Sequence, residues 1–144
     1  MDEFKRKTII AIEIPENRFH PMVHIWGTPE IGKGTYIGLF SEINANEGIV
    51  IIGENCDIAS FVAINCADSH LKTIGHEDEV IRSTITLENN VFVGSHSFIG
   101  GDTHIGHHSV IAAGTILINA GIIPPFSLIV GNPAVVKKAY YANK

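Results

Sequence analysis

From Ile81 onward an aliphatic residue recurs at every sixth position: Ile81, Leu87, Val93, Ile99, Ile105, Ile111, Leu117, Ile123 and Ile129. The residue that follows is often glycine (Gly94, Gly100, Gly106) or alanine (Ala112). Four residues after each comes mostly something small, as at Ser97, Thr103, Ser109, Thr115, Gly121 and Ser127. Upstream the pattern runs in other phases, through Ile25, Ile31, Ile37 and Ile43, then Ile52, Ile58 and Ile64. An α-helix turns about 100° per residue, so steps of six scatter around its cylinder. Even spacings do share one face of a strand, but a single strand of about fifty residues is not a globular element. Short strands broken by turns at "GSH", "GGD" and "GHH" satisfy both constraints. Each hexapeptide then forms one side of a coil, with the aliphatic residue and the small fifth-place residue pointing inward. Three sides give about 18 residues per coil, and successive coils stack at about 4.8 Å. A β-sandwich has no reason to hold one phase over nine repeats. The expected fold is all-β: a parallel β-helix over 25–132, a lead-in over 1–24, and a short helix over 133–142 capped by Asn132 with Pro133 in its first turn.

The count fails twice. Three extra residues lie between Ile43 and Ile52, around "NANEG", and seventeen positions separate Ile64 from Ile81. The larger insertion falls within "NCADSHLKTIGHEDEVIRST", which predicts a loop over about 65–84. Insertions in solenoids become loops on one side, often the functional side.

His96, His104, His107 and His108 crowd the repeats, yet they occupy the fourth, sixth, third and fourth places of their hexads. None of these places points inward, and equivalent sites stack only once per coil. His96 and His108 therefore belong to different faces, and one subunit cannot bring the four within the roughly 2.0–2.1 Å of a common point that zinc needs. No metal is expected. Side chains meeting across two subunits, or turn and interface histidines without a metal, are the two readings of the cluster.

The chain has 144 residues and a formal net charge of −5. That length suits one domain, and the charge argues against nucleic acid or an anionic membrane as the main partner. No apolar run reaches the roughly 18 residues of a spanning helix. The start, "MDEFKRKTIIAIEIPENRF", reads poorly as a signal peptide, since acidic residues precede basic ones and Glu13 and Pro15 break the isoleucine run. Cys56 and Cys66 read as reduced thiols, and a cytoplasmic location is expected.

The periodicity over about 24–136, with "TLENNVFVGSH", "IAAGT" and "VGNPA", resembles the hexapeptide-repeat acyltransferases, in the branch of galactoside, maltose, antibiotic and sugar acetyltransferases. The resemblance implies a left-handed parallel β-helix, a homotrimer with active sites between subunits, acetyl-CoA as co-substrate, and a sugar or nucleotide-sugar acceptor in surface-polysaccharide synthesis. It implies that His70, in "ADSH", is the general base at the exit of the long loop, although the family commonly has His-Pro where this chain has His70–Leu71. Acetyl transfer needs such a group, because an imidazole can take the nucleophile's proton near neutral pH and return it to the departing thiolate. His76 competes for the role, and Asp68, Glu77, Asp78 or a backbone carbonyl could hold its tautomer; the run "HEDEV" otherwise reads as a solvated loop face.

Carried over from the same branch, Ser95 and Ala113 contact the acyl-CoA arm. Lys137 and Lys138 are left to meet its phosphates, since Val135 and Lys138 stand where relatives tend to carry arginines and Ile118–Asn119 where they carry Thr-Lys. Asn44, Asn46, Glu47 and Asp68 are the candidate acceptor-binding residues, with Trp26, Phe40 or Tyr36 as surfaces on which a sugar could stack. Two other functions fit the same fold: a γ-class carbonic anhydrase-like zinc enzyme, and a non-catalytic trimeric β-helix module. Serine acetyltransferase fits less well for want of its helical N-terminal domain.

Overall fold

The computed structural model describes residues 2–12 and 16–144. A helix, α1 (Glu3–Ile12), opens the chain, with the Asp2 carboxylate accepting the Lys5 N–H at 2.9 Å. Glu13 and Pro15, the breaks in the isoleucine run, lie outside the described residues. Among the described residues no helix is long and apolar enough to cross a membrane.

Five coils follow. The first is β1 (His24–Gly27), β2 (Glu30–Ile31) and β3 (Tyr36–Ile37); the second is β4 (Glu42–Ala45), β5 (Ile49–Ile52) and β6 (Asp57–Ile58). The third starts at β7 (Ala63–Asn65) and is interrupted by β8 (Ala67–Asp68), α2 (His70–Thr73) and β9 (Ile81–Arg82). It resumes with β10 (Thr84–Leu87) and β11 (Phe92–Val93). The fourth is β12 (Phe98–Gly100), β13 (Thr103–Ile105) and β14 (Val110–Ile111); the fifth is β15 (Ile116–Ile118), β16 (Gly121–Ile123) and β17 (Leu128–Val130).

Parallel pairing assembles these strands into three faces, ordered β1-β4-β7-β12-β15, β2-β5-β10-β13-β16 and β3-β6-β11-β14-β17. The register stacks Ile25, Ile43, Ile64, Ile99 and Leu117 on the first face. Ile31, Ile52, Leu87, Ile105 and Ile123 stack on the second. Ile37, Ile58, Val93, Ile111 and Ile129 stack on the third. All but Ile25 and Ile31, at the open first coil, are buried. Both insertions leave these ladders intact, because each bulges out between one face and the next.

The edges explain the other places of the hexapeptide. Left-handed backbone recurs in stacked columns: Phe40, Phe61 and His96 (φ 60°, 60° and 62°) between the third and first faces, and Asn55, Asn90, His108 and Phe126 (φ 54°, 58°, 56° and 60°) between the second and third. The glycine after the aliphatic residue answers a close approach: a Cβ on Gly94 would sit 2.3 Å from the Ala113 nitrogen of the next coil. The small inward hydroxyls bridge coils, as when Thr35 donates to the Gly53 carbonyl at 2.7 Å and Ser41 to that of Ala59 at 2.8 Å. A hydroxyl buried in that position needs such an acceptor.

Two expectations are corrected. Ile81 is not an inner-wall residue: it is 42% exposed and pairs with Asp68 in a two-stranded antiparallel ribbon, so its spacing of six from Leu87 is coincidental. The helix expected over 133–142 is absent. Instead the chain reverses at Gly131 (φ 96°), and β18 (Val135–Lys137) pairs antiparallel with β17. The open sheet edge takes the hydrogen bonds that the helix would have made for itself, and Val135 and Val136 are β-branched residues suited to it.

Candidate functional site

The long loop leaves the first face directly after Asn65, whose side-chain oxygen accepts the Ala67 N–H at 2.8 Å and turns the chain outward. β8 then pairs with the returning β9, Ala67 opposite Arg82 and Asp68 opposite Ile81. His70 follows at the first position of α2, its ring exposed. Its Nδ1 lies against the Asp68 carboxylate, which also receives the His70 backbone N–H at 3.3 Å.

This geometry fixes the tautomer. The hydrogen bond from His70 holds the Asp68 carboxyl below its ordinary range, so near neutral pH the group is ionised and can only accept. Nδ1 therefore donates to it, and Nε2 is the ring nitrogen left without a hydrogen-bond partner among the described residues. Of the groups the sequence left open, Asp68 is the one in contact with the His70 ring, so a side chain expected to touch the acceptor spends one oxygen on the imidazole.

The small insertion sits beside this loop. Asn44 accepts the Asn46 N–H at 3.0 Å, in the same local turn that Asn65 makes one coil later. Arg82, which the sequence reading missed, joins the two insertions: its guanidinium donates to the Asn46 carbonyl at 2.8 Å and to the Glu47 carboxylate at 3.0 Å. Below it Cys66 is buried, and burial pushes its thiol pKa up against the opposing charge of Arg82. Asn44, Asn46, Glu47, Asp68 and His70 thus gather where the first face passes to the second.

The other predicted residues lie elsewhere. Ser95 and Ala113 stand one coil apart at the edge between the third and first faces, the Gly114 N–H donating to the Ser95 carbonyl at 2.9 Å. Ser95 Oγ donates in turn to the Ser60 carbonyl at 2.8 Å. That edge is not the one that carries His70, so a single chain does not bring the two groups together. Lys137 and Lys138 are exposed at the far end of the stack, with the Lys137 ammonium 5.8 Å over the Tyr140 ring.

The clustered histidines split as their register requires. His96 stacks on Phe61 at 4.9 Å along one edge, and His108 stacks on Phe126 at 5.2 Å along another. His104 Nε2 meets Glu88 at 2.5 Å, and His107 shares an Nδ1–Nδ1 hydrogen bond of 2.9 Å with His108. Among the described residues no three His, Cys, Asp or Glu side chains are placed to hold a metal ion. The His104 contact holds the Glu88 carboxyl below its ordinary value near 4.5, so its stabilising effect is present above that pH and is lost as pH falls through the lowered pKa. Glu88→Gln is expected to lower stability at neutral pH, and its deficit relative to wild type to close on acidification, as read by denaturant titration at several pH values.

Fold and site together define a three-sided parallel β-solenoid bearing an oriented imidazole on its one long loop. No family model matches the chain. Galactoside O-acetyltransferase of Escherichia coli (strain K12) is 34% identical over 107 residues, 72% of this chain and 50% of that protein. The bifunctional protein GlmU of Streptococcus agalactiae is 29% identical over 136 residues, 86% of this chain and 27% of that protein. The chain therefore spans a quarter to a half of the length of these relatives. Among solved structures, AntD, an N-acyltransferase from Bacillus cereus in complex with dTDP and 3-hydroxybutyryl-CoA, superposes with a TM-score of 0.74 at 19% identity, covering 84% of this chain and 68% of that one. The polySia specific acetyltransferase NeuO gives 0.63 at 26% identity, covering 81% and 60%. The chain is similar to acyltransferases of the hexapeptide-repeat kind, and its solenoid shares the fold of AntD.

Proposed function

We propose that this protein is an acetyl-CoA-dependent acetyltransferase acting on a hydroxyl or amino group of a sugar or nucleotide-linked sugar, in the cytoplasmic assembly of surface polysaccharide. The observation that carries this reading is the Asp68–His70 pair at the loop exit, an exposed imidazole held through Nδ1 with Nε2 left over. AntD and NeuO are acyltransferases of similar fold, the first solved with a dTDP-sugar as well as with dTDP, and they support the sugar class.

His70 Nε2 takes the proton from the acceptor's oxygen or nitrogen as that atom attacks the thioester carbonyl. The resulting imidazolium, steadied by the Asp68 carboxylate, returns the proton to the departing thiolate. Asp68 need not change protonation state, because it stabilises the charge that forms beside it. The backbone at Ser95 and Ala113, brought close by the missing side chain at Gly94, suits an extended pantetheine arm. Lys137 and Lys138 would serve its phosphates as point charges. His70 and the Ser95–Ala113 edge lie apart on one chain, which supports a site shared between neighbouring subunits of a homotrimer, with the thioester delivered between them.

The test is thiol release from acetyl-CoA against a panel of sugars and nucleotide amino-sugars, with the mass of the assembly measured by sedimentation. Release that depends on one class of acceptor, from a trimer, is the expected result. Absence of both acceptor-dependent release and acetyl-CoA binding would leave a non-catalytic module and overturn the proposal.

A further inference from the structure

One column on the outer surface of the first face ends beside the reacting groups. Ile25, Ile43 and Ile64 point into the solenoid, so alternation turns the next residue of each strand outward. These are Trp26, Asn44 and Asn65, paired in register across three successive coils. Parallel strands place such neighbours about 4.8 Å apart. Trp26 is 45% exposed, with one side inclined against the His24 ring at 4.3 Å. Asn44 and Asn65 each use the side-chain oxygen to accept a backbone N–H two residues on. Those bonds orient both amides and leave both NH2 groups without a partner among the described residues. The result is an aromatic surface followed along the column by two fixed donor pairs, ending where the loop to His70 departs.

We infer that this column is a binding platform for a neutral pyranose ring, with the C–H face of the sugar on the Trp26 indole and its hydroxyls accepting from Asn44 and Asn65. An indole combines an apolar face with a polar edge, which matches a sugar's own division between ring hydrogens and equatorial hydroxyls. Charge argues for the neutral ring rather than a phosphate. Arg82, which joins the two insertions, is already engaged by Glu47 and the Asn46 carbonyl, and His70 is engaged by Asp68. The inference rests on the acetyltransferase reading for its role, since it assigns the acceptor's ring to this column and its reacting group to the His70 side. Its physical content is separate and can be tested without turnover.

Trp26 is the only tryptophan of the chain, so intrinsic emission reports on this surface alone. Titration of the full chain with methyl hexopyranosides is expected to give a saturable change in emission, while inorganic phosphate gives none. The double variant Asn44→Asp, Asn65→Asp keeps both oxygen acceptors, and so both turns, but removes the NH2 donors; it is expected to weaken sugar binding about tenfold. Emission unmoved by every glycoside, an equal response to phosphate, or a response unchanged in the double variant would each overturn the platform. Sugar-dependent thiol release with unmoved emission would remove the platform and keep the enzyme. Saturable emission with no thiol release would keep the platform and remove the enzyme.

Discussion

His70→Ala is expected to lower acceptor-dependent thiol release by at least a hundredfold, while acetyl-CoA still binds with unchanged affinity. Proton transfer by a positioned side chain contributes roughly 10²- to 10⁴-fold, and among the described residues no second imidazole shares the Asp68 carboxylate. The ring is exposed and heads a four-residue helix in which no residue is buried, so its removal leaves the solenoid core untouched. Asp68→Asn is expected to cost less, because the base survives but its tautomer is no longer imposed. In the double variant the Asp68 effect should vanish, since an orienting group has nothing left to orient. Single-turnover rates and equilibrium binding of acetyl-CoA to the four proteins make the check. Turnover retained in His70→Ala would transfer the role to another group, His76 being the first to try.

The inner wall was legible in the sequence because burial inside a narrow coil is unforgiving: every sixth residue must be aliphatic, and Gly94 and Gly106 must lack a Cβ where the next coil's backbone approaches within 2.3 and 2.4 Å. The insertion that carries His70 was legible for a related reason, as the place where that count breaks, while the choice of His70 over His76 within it came from the family resemblance. What could not be read were contacts made by long side chains across insertions. Arg82 follows no period, and nothing in "VIRST" says that it reaches back to Glu47. Asn65 could have been found, since Ile43–Asn44 and Ile64–Asn65 repeat the same pair at the start of each insertion. The closing helix failed for a tertiary reason: Asn132, Pro133 and the lysines signal a helix locally, but a free strand at Leu128–Val130 offers Val135–Lys137 a ladder that no local rule takes into account.

Ile64→Ala is expected to destabilise the protein by about 2–5 kcal/mol, whereas Ile81→Ala should change it by less than about 0.5 kcal/mol. Both residues are isoleucines on strands next to the long loop, and both fit a period of six in the sequence. Ile64 is fully buried between Ile43 and Ile99, in walls held at strand spacing by backbone hydrogen bonds above and below. The cavity left by alanine cannot close without breaking that ladder, so the cost lies in lost contacts as well as lost transfer energy. Ile81 is already 42% exposed on the antiparallel ribbon and holds no neighbour in the wall. Domains of this size are stable by only about 5–15 kcal/mol, so the first variant should show a clear loss in urea midpoint at fixed protein concentration and the second almost none. Equal effects at the two positions would mean that the ladder continues through the loop, and would undo the placement of His70 outside it.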